Sequence, residues 1–133
     1  MKLTVVSVLY QKITSTQEKL ERLRTKATEA ATSRLDGLPH GTTEKSRTES
    51  LAIKITDTER ELENLRDEYA AASFQLVSEI NQRVSGKAST VLFLHYIMFE
   101  PFTEIAAEMK ITPSHVSKLH GRGVKQFYAP SLD

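Results

Sequence analysis

The fold of the C-terminal part of this chain can be predicted from the stretch FTEIAAEMKITPSHVSKLH, residues 102–120. Its first run, residues 102–110, places Ile105, Ala106 and Met109 on one side of a helix. The small Ala106 leaves room on that side for a second helix to cross closely. The stretch therefore predicts two short helices held together across a tight turn.

The second helix of this pair has a strong start signal. Lys110 and Ile111 make the turn, with the apolar Ile111 directed toward the core. Thr112 then fits the N-cap position because its hydroxyl accepts an otherwise unpaired backbone amide, and Pro113 fits the first helical position because its missing donor costs nothing there. We expect the second helix to begin at Pro113.

The second helix divides into an inner and an outer face. Val116 and Leu119 lie on the side that faces the first helix. The outer face carries polar side chains: Ser114, His115, Ser117, Lys118 and Arg122. This is the layout in which a recognition helix presents its N-terminal residues to base edges in the major groove of DNA.

The segment before this pair, ASTVLFLHYIMF at residues 88–99, is dense in apolar residues. Its β-branched and aromatic content permits a strand. Its position directly before two short amphipathic helices favours a buried helix, beginning after the SGK of residues 85–87. Pro101 either ends this helix or opens the next element.

Two longer segments carry an apolar seam with steps of three and four residues, the spacing of a heptad repeat. The first seam consists of Val6, Leu9, Ile13, Thr16, Leu20, Leu23, Ala27 and Ala30, and the second of Leu51, Ile55, Thr58, Leu62, Leu65, Tyr69, Ala72, Leu76 and Ile80. Neither segment contains Pro or Gly, and both are rich in good helix formers. We expect an all-α protein: a long, coiled-coil-like helical hairpin over 1–84 with a loop near 35–48, then a helix-turn-helix domain over 87–129.

The seams leave the oligomeric state open. A single seam buries little surface, so the two helices either pack on each other alone or complete a homodimer with a second copy of the chain. Thr16 and Thr58 interrupt the seams, and we expect their hydroxyls to be solvated or bonded to the preceding helical turn.

Composition limits the classes of function. The 133 residues contain no cysteine, which excludes disulfides and thiolate metal sites. The opening MKLTVVSVLY is too short an apolar run for a secretion signal and lacks a cleavage site, and no segment reaches the roughly 18 apolar residues of a membrane span. We expect a cytoplasmic protein that does not bind membranes.

Charge is unevenly distributed although the net charge is only +1. Residues 1–48 carry a net +4, residues 49–86 a net −4 and residues 87–133 a net +1. Between Met109 and Tyr128 four cations occur and no acid. A polyanionic partner is therefore compatible with the near-neutral total, because the local charge decides.

EIAAEMKITPSHVSKLH resembles region 4 of bacterial sigma factors, with Ala106, Ile111, Val116 and Leu119 on the family pattern. VLFLHYIMFEPF is similar to the preceding helix of that module. With the long helical segments and LPHG at residues 38–41, the chain resembles phage and prophage late-gene regulators of the RinA and ArpU type. The resemblance implies a phage-derived DNA-binding transcription regulator that works in the bacterial host cytoplasm with host RNA polymerase.

Three features depart from the family pattern. Lys110 stands where glycine is usual, which predicts a non-glycine residue at positive φ. Pro101 stands where a capping Ser or Thr is common. Gly121 and Gly123 lie inside the second helix, where each costs up to about 1 kcal/mol relative to alanine, so the helix end is open to fraying.

These observations assign a candidate DNA-binding surface. We expect Ser114, His115 and Ser117 to touch bases, and we expect the cations to contact phosphates: Lys118, Arg122, Lys125 and Lys110. We predict neither a catalytic site nor a cofactor or metal site. The alternative is a protein-binding inhibitor of a host enzyme, in which the acidic second helix mimics DNA.

Other polar groups have plainer interpretations. His115 and His120 are five residues apart, which places them on different faces of a helix, and a solvated or base-contacting histidine is the expectation for each. Glu104 and Glu108 share a face of the first short helix. The family resemblance gives Glu104 a structural role, and surface solvation is the competing interpretation.

Overall fold

The computed structural model describes the backbone of residues 1–34 and 42–130, and the side chains of these ranges except at 33–34 and 42–45. The described residues form five helices and no strand, which confirms the all-α prediction. The helices are α1 (Val5–Arg34), α2 (Thr42–Arg83), α3 (Gly86–Tyr96), α4 (Phe102–Met109) and α5 (Pro113–Phe127). No helix among them combines the length and the apolar character that crossing a bilayer requires.

Helices α1 and α2 form the predicted long hairpin, and α3, α4 and α5 form a smaller helical group after it. The predicted loop near 35–48 is too long at its C-terminal end, because α2 already begins at Thr42. Threonine, serine and charged residues occupy 42–48 without Pro or Gly, so nothing prevents this segment from extending α2. His40 and the LPHG stretch lie outside the described residues.

The described chain divides into two compact units. The first contains residues 1–9 and 69 onward, and the second, which we call the hairpin unit, contains residues 10–68. In the hairpin unit the two seams provide the buried side chains: Ile13, Thr16, Leu20, Thr58 and Leu62. Leu23, Ala27 and Ala30 are only half-buried, as are Leu51 and Ile55, so burial decreases toward the loop end of the hairpin. Leu65, farther from the loop, is half-buried as well.

Polar contacts add little to the hairpin unit. Arg24 Nη2 lies 3.2 Å from Glu59 Oε1, but both side chains are about half-exposed, and such pairs contribute roughly 0–1 kcal/mol. The Thr58 hydroxyl donates to the carbonyl of Lys54 at 2.7 Å, which confirms the predicted bond to the preceding turn. Thr16 is buried in the seam rather than solvated. Apolar packing along the seams therefore supplies most of the stability of this unit.

The first unit, which we call the terminal unit, contains two apolar cores. The larger core joins the start of α1, the end of α2, α3 and the end of α5: Leu3, Val6, Leu76, Ile80, Val84, Ala88, Leu92 and Phe127. The smaller core joins α3, α4 and α5: Val91, Ile105, Ala106, Val116 and Leu119. A fully buried Val, Leu, Ile or Phe contributes about 1.5–3 kcal/mol, so these cores determine how α5 is held.

Helix α3 is buried on two sides, which explains why its sequence is apolar without a clear periodicity. Ala88 and Leu92 face the larger core, whereas Val91 faces the smaller one. A helix that is buried on two sides has apolar residues close together in sequence, which is also the signature of a buried strand. The helix interpretation is confirmed, and α3 is the common support for α4 and α5.

Both ends of the described chain meet in the terminal unit. The backbone N–H of Leu3 donates to the Tyr128 hydroxyl at 2.9 Å. Arg83 donates from Nη1 to the Phe127 carbonyl at 3.2 Å, and its guanidinium lies 5.8 Å from the centroid of the Phe127 ring. The residues at the C-terminal end of α5 are therefore bonded to the segment before α1 and to the end of α2.

Candidate nucleic-acid interface

Helix α4 is opened by Pro101, which occupies the N-cap position with φ −70° and ψ 159°. Proline has no side-chain acceptor, so the cap consists of backbone alone. The Pro101 carbonyl accepts from the backbone amides of Glu104 and Ile105, each at 3.1 Å. Of the two roles considered for Pro101, opening the next element is the one observed.

The turn between α4 and α5 has the backbone that the sequence predicts. Lys110 adopts φ 57° and ψ 45°, the left-handed conformation that glycine usually takes. The next amide, that of Ile111, donates to the Ala106 carbonyl at 3.0 Å, and the half-buried Ile111 side chain packs against the smaller core. A non-glycine residue in this conformation costs about 1–2 kcal/mol, which the packing of Ile111 helps to offset.

Helix α5 begins as predicted. The Thr112 hydroxyl accepts from the backbone amide of His115 at 3.1 Å, and Pro113 occupies the first turn. Val116 and Leu119 are buried against α3 and α4, while Ile105 and Ala106 supply the facing surface of α4. The helix pair is therefore locked by its inner faces.

The outer face of this pair is open to solvent. All seven predicted DNA-contacting side chains are exposed: Lys110, Ser114, His115, Ser117, Lys118, Arg122 and Lys125. Within the described part of the chain, none of the four cations among them pairs with a carboxylate. The surface, which we call the α5 face, therefore presents unneutralised positive charge beside short polar side chains.

The C-terminal half of α5 is a continuous helix through both glycines to Phe127. The two glycines therefore do not end the helix, and Arg122 and Lys125 lie on regular helix. Gly123 is buried where α5 approaches α3: a Cβ atom there would lie 3.1 Å from Leu92 Cγ and 3.3 Å from the Ala88 carbonyl oxygen. The glycine permits close packing rather than breaking the helix.

The environment of His120 differs from the one expected from the sequence. It was expected to be solvated or to contact bases, but it is half-buried and its Nε2 lies 2.7 Å from the Tyr96 hydroxyl. Its ring centroid lies 5.6 Å from that of Tyr96, 5.6 Å from that of His95 and 5.1 Å from that of Phe102. We call His95, Tyr96, Phe102 and His120 the ring cluster.

The protonation of the ring cluster follows from its contacts. His95 Nδ1 lies 2.9 Å from the Glu100 carbonyl, and because a carbonyl only accepts, this nitrogen carries the proton. Burial lowers the pKa of His120, and the neighbouring His95 lowers it further. Burial raises the pKa of Tyr96, with a smaller contribution from Tyr128. The packing therefore favours the uncharged form of both His120 and Tyr96.

The position of His120 had a sequence signal that was missed. It lies four residues after Val116 and three before Gly123, which places it on the inner side of α5 beside Leu119. Its partners His95 and Tyr96 stand 25 and 24 residues earlier, on a helix whose own orientation the sequence did not determine. The helical spacing predicts that the His120 ring points inward, but it does not predict which other rings His120 contacts.

A group of carboxylates lies around the start and outer side of α4. Burial raises the pKa of Glu100, followed by hydrogen bonding with the Glu108 carboxyl and the charges of Glu108 and Glu104. Glu104 and Glu108 are exposed, so the surface interpretation of Glu104 agrees with its position. Within the described residues, no three His, Asp or Glu side chains are arranged to hold a metal ion.

Comparison of the chain with known protein families, with curated proteins and with solved structures found no significant match.

Proposed function

We propose that this protein is a sequence-specific, double-stranded-DNA-binding transcription regulator, and that the α5 face is its DNA-binding surface. The observation that supports this most directly is the combination of a locked inner side and an open, cationic outer side on one helix. A helix that is held rigidly by its neighbours can present side chains to a major groove with little loss of conformational entropy on binding.

The proposal divides the α5 face into two roles. Ser114, His115 and Ser117 lie in the first turns of α5 and contact base edges. The cations contact phosphates and set the register: Lys110, Lys118, Arg122 and Lys125. About four such contacts give a slope near −3.6 for log affinity against log salt concentration, from roughly −0.9 per phosphate.

Four phosphate contacts give weak binding for one copy of the chain, so the proposal includes a helper. A homodimer through the long helices would double the contacts, and host RNA polymerase would supply a second point of attachment. The resemblance to region 4 of sigma factors and to phage late-gene regulators favours the polymerase, and it implies phage origin and action in the host cytoplasm.

The direct test is selection of bound fragments from random duplex DNA, repeated at two salt concentrations. We expect an enriched motif, and we expect S117A/K118A to lose about 1–3 kcal/mol of sequence preference per base contact. The matched control S15A/K19A removes a serine and a lysine from exposed positions of α1 and should retain the motif. No enrichment at either salt concentration would reject the proposal.

One observation favours a second candidate, a protein-binding inhibitor of a host enzyme that mimics DNA. The middle of α2 exposes a series of carboxylates: Asp57, Glu59, Glu61, Glu63, Asp67 and Glu68. This concentration of negative charge around the helix would attract a basic surface of a partner protein. S117A/K118A also separates the candidates, because an inhibitor that uses α2 would keep its full activity in that variant.

A further inference from the structure

The ring cluster joins three helices at a point that the proposed DNA contacts do not use. His95 and Tyr96 end α3, Phe102 begins α4, and His120 lies on the inner side of α5. His120 stands two residues from Lys118 and two from Arg122, so a change in its packing acts on the middle of the α5 face. The ring cluster is therefore located where the protonation of His120 can affect how α5 packs against α3 and α4.

From this geometry we infer that the ring cluster acts as a proton-sensitive latch. When His120 is neutral, the cluster stabilises the position of α5 that binds DNA, and when His120 is protonated, the cluster destabilises that position. The inference rests on the proposed function, because it assigns a regulation to the α5 face. It names the proton as the effector and a two-state helix contact as the responding element.

The contacts determine the direction of the effect. A proton on His120 places a cation among half-buried rings, beside a second imidazole whose centroid is 5.6 Å away. From α3, the titratable groups facing His120 are His95 and Tyr96, and from α4 the facing residue is Phe102, which carries no charge. Glu100 lies in the α3–α4 connection, and the causes of its raised pKa are burial and the neighbouring carboxyls of Glu108 and Glu104, with no contribution from His120.

Aromatic rings also attract cations, which opposes this effect. The imidazole of His120 is stacked on Tyr96 with an interplanar angle of 25° and is tilted by 55° against Phe102. Burial and the second imidazole nevertheless lower the pKa of His120 in sum. Linkage then requires that acidification favours any state in which His120 leaves the cluster and reaches water.

The sign of the pH dependence is fixed by the lowered pKa. The folded protein binds the His120 proton less readily than the released histidine does, whose pKa is 6.5. The contribution of the latch is complete above pH 6.5 and is lost as the pH falls from there through the pKa of folded His120. His115 lies on the exposed α5 face itself, so the effect of His120 is best measured in a protein that lacks the His115 imidazole.

The experiment therefore uses H115Q as the background and compares it with H115Q/H120Q. The probe is a fluorescein-labelled 30-base-pair duplex of mixed sequence at low salt, titrated at pH 7.5 and pH 5.5. Glutamine at position 120 keeps an uncharged partner for the Tyr96 hydroxyl. Every other ionisable residue is shared by the two proteins, so the comparison isolates position 120.

We expect H115Q to lose affinity by about fivefold or more on acidification, the low end of usual coupling between two sites, and H115Q/H120Q to lose clearly less. An equal loss in the two proteins would overturn the latch while leaving the DNA-binding proposal intact. Absence of binding at both pH values in both proteins and in the unmodified chain would reject DNA binding and the latch with it.

A second measurement covers the case in which H115Q/H120Q does not fold. Histidine resonances of the unmodified protein, followed by NMR across the same pH range, give the pKa of His120 directly. The latch requires that this value lies below that of a histidine free in solution, and that amides of α5 exchange faster as His120 takes up its proton. Unchanged exchange through that titration contradicts the proposal.

Discussion

The conformation of Lys110 shows how a single residue can serve the proposed function at the expense of stability. Its left-handed backbone is the one that the α4–α5 turn requires, and glycine would adopt it without strain. Lysine keeps a cation at the edge of the α5 face, where glycine would supply none. The departure from the glycine pattern is therefore consistent with a residue kept for its charge.

This interpretation predicts opposite effects of K110G on stability and on DNA affinity. We expect the free energy of unfolding to rise by roughly 0.5–1 kcal/mol, since strain of about 1–2 kcal/mol is removed and the freer unfolded chain offsets part of it. The salt slope of DNA binding should become shallower by about 0.9. K110R keeps both the strain and the charge, and it should match the unmodified protein in urea unfolding and in salt titration.

The contribution of Glu100 to stability should depend on pH in the opposite direction to that of His120. The pKa of Glu100 is raised in the folded protein by burial and by Glu108 and Glu104, so the folded chain binds this proton more readily than the unfolded chain does. Its contribution to stability is therefore fully present below its ordinary pKa of 4.5 and is lost as the pH rises through the higher folded value.

We therefore expect E100Q to unfold at higher urea concentration than the unmodified protein at pH 7, with a difference that shrinks as the pH is lowered toward 4. E63Q removes an exposed carboxylate from α2 and serves as the control for the change in net charge. A difference for E100Q that grows on acidification would show that the carboxylate is stabilised by a cation instead.

At the scale of elements, the sequence predicted what depends on neighbours along the chain. The seams of α1 and α2, the Thr112 cap and the inner positions Val116 and Leu119 follow from spacing and local chemistry alone. The roles of Gly123 and His120 depend on α3, more than 20 residues away, and no local pattern determines which side of α3 meets α5. Local signals thus predicted α5 as a helix but left its contacts open.

The two glycines of α5 provide a matched test of this contact. G123A should destabilise the protein by about 1–3 kcal/mol, because a Cβ 3.1 Å from Leu92 Cγ forces α5 away from α3. G121A should be neutral or stabilising by up to about 1 kcal/mol, because a Cβ there meets nothing within 4 Å and alanine favours the helix. Urea unfolding of both variants is the measurement, and equal effects would mean that the approach to α3 is not tight in solution.

At the scale of the whole molecule, the position of α5 depends on the first residues of the chain as well as on its neighbours in sequence. Leu3 and Val6 share the larger core with Phe127, and the Leu3 amide bonds to Tyr128. The heptad spacing placed Val6 at the start of a seam and assigned no role to Leu3. Their partners lie more than 120 residues away, and a contact at that separation leaves no periodic trace in the sequence.

Two substitutions on α2 separate the contributions of the two units to α5. Leu76 is fully buried in the larger core of the terminal unit, whereas Leu62 is buried in the hairpin unit. Each change to alanine should cost about 2–5 kcal/mol of local stability. Cooperative units open separately in native-state hydrogen exchange. L76A should therefore accelerate exchange of the α5 amides. L62A should accelerate exchange in the middle of α1 and α2 and leave the α5 amides protected. Equal acceleration of α5 by both would show that the protection of α5 depends on the hairpin unit as well as on the terminal unit.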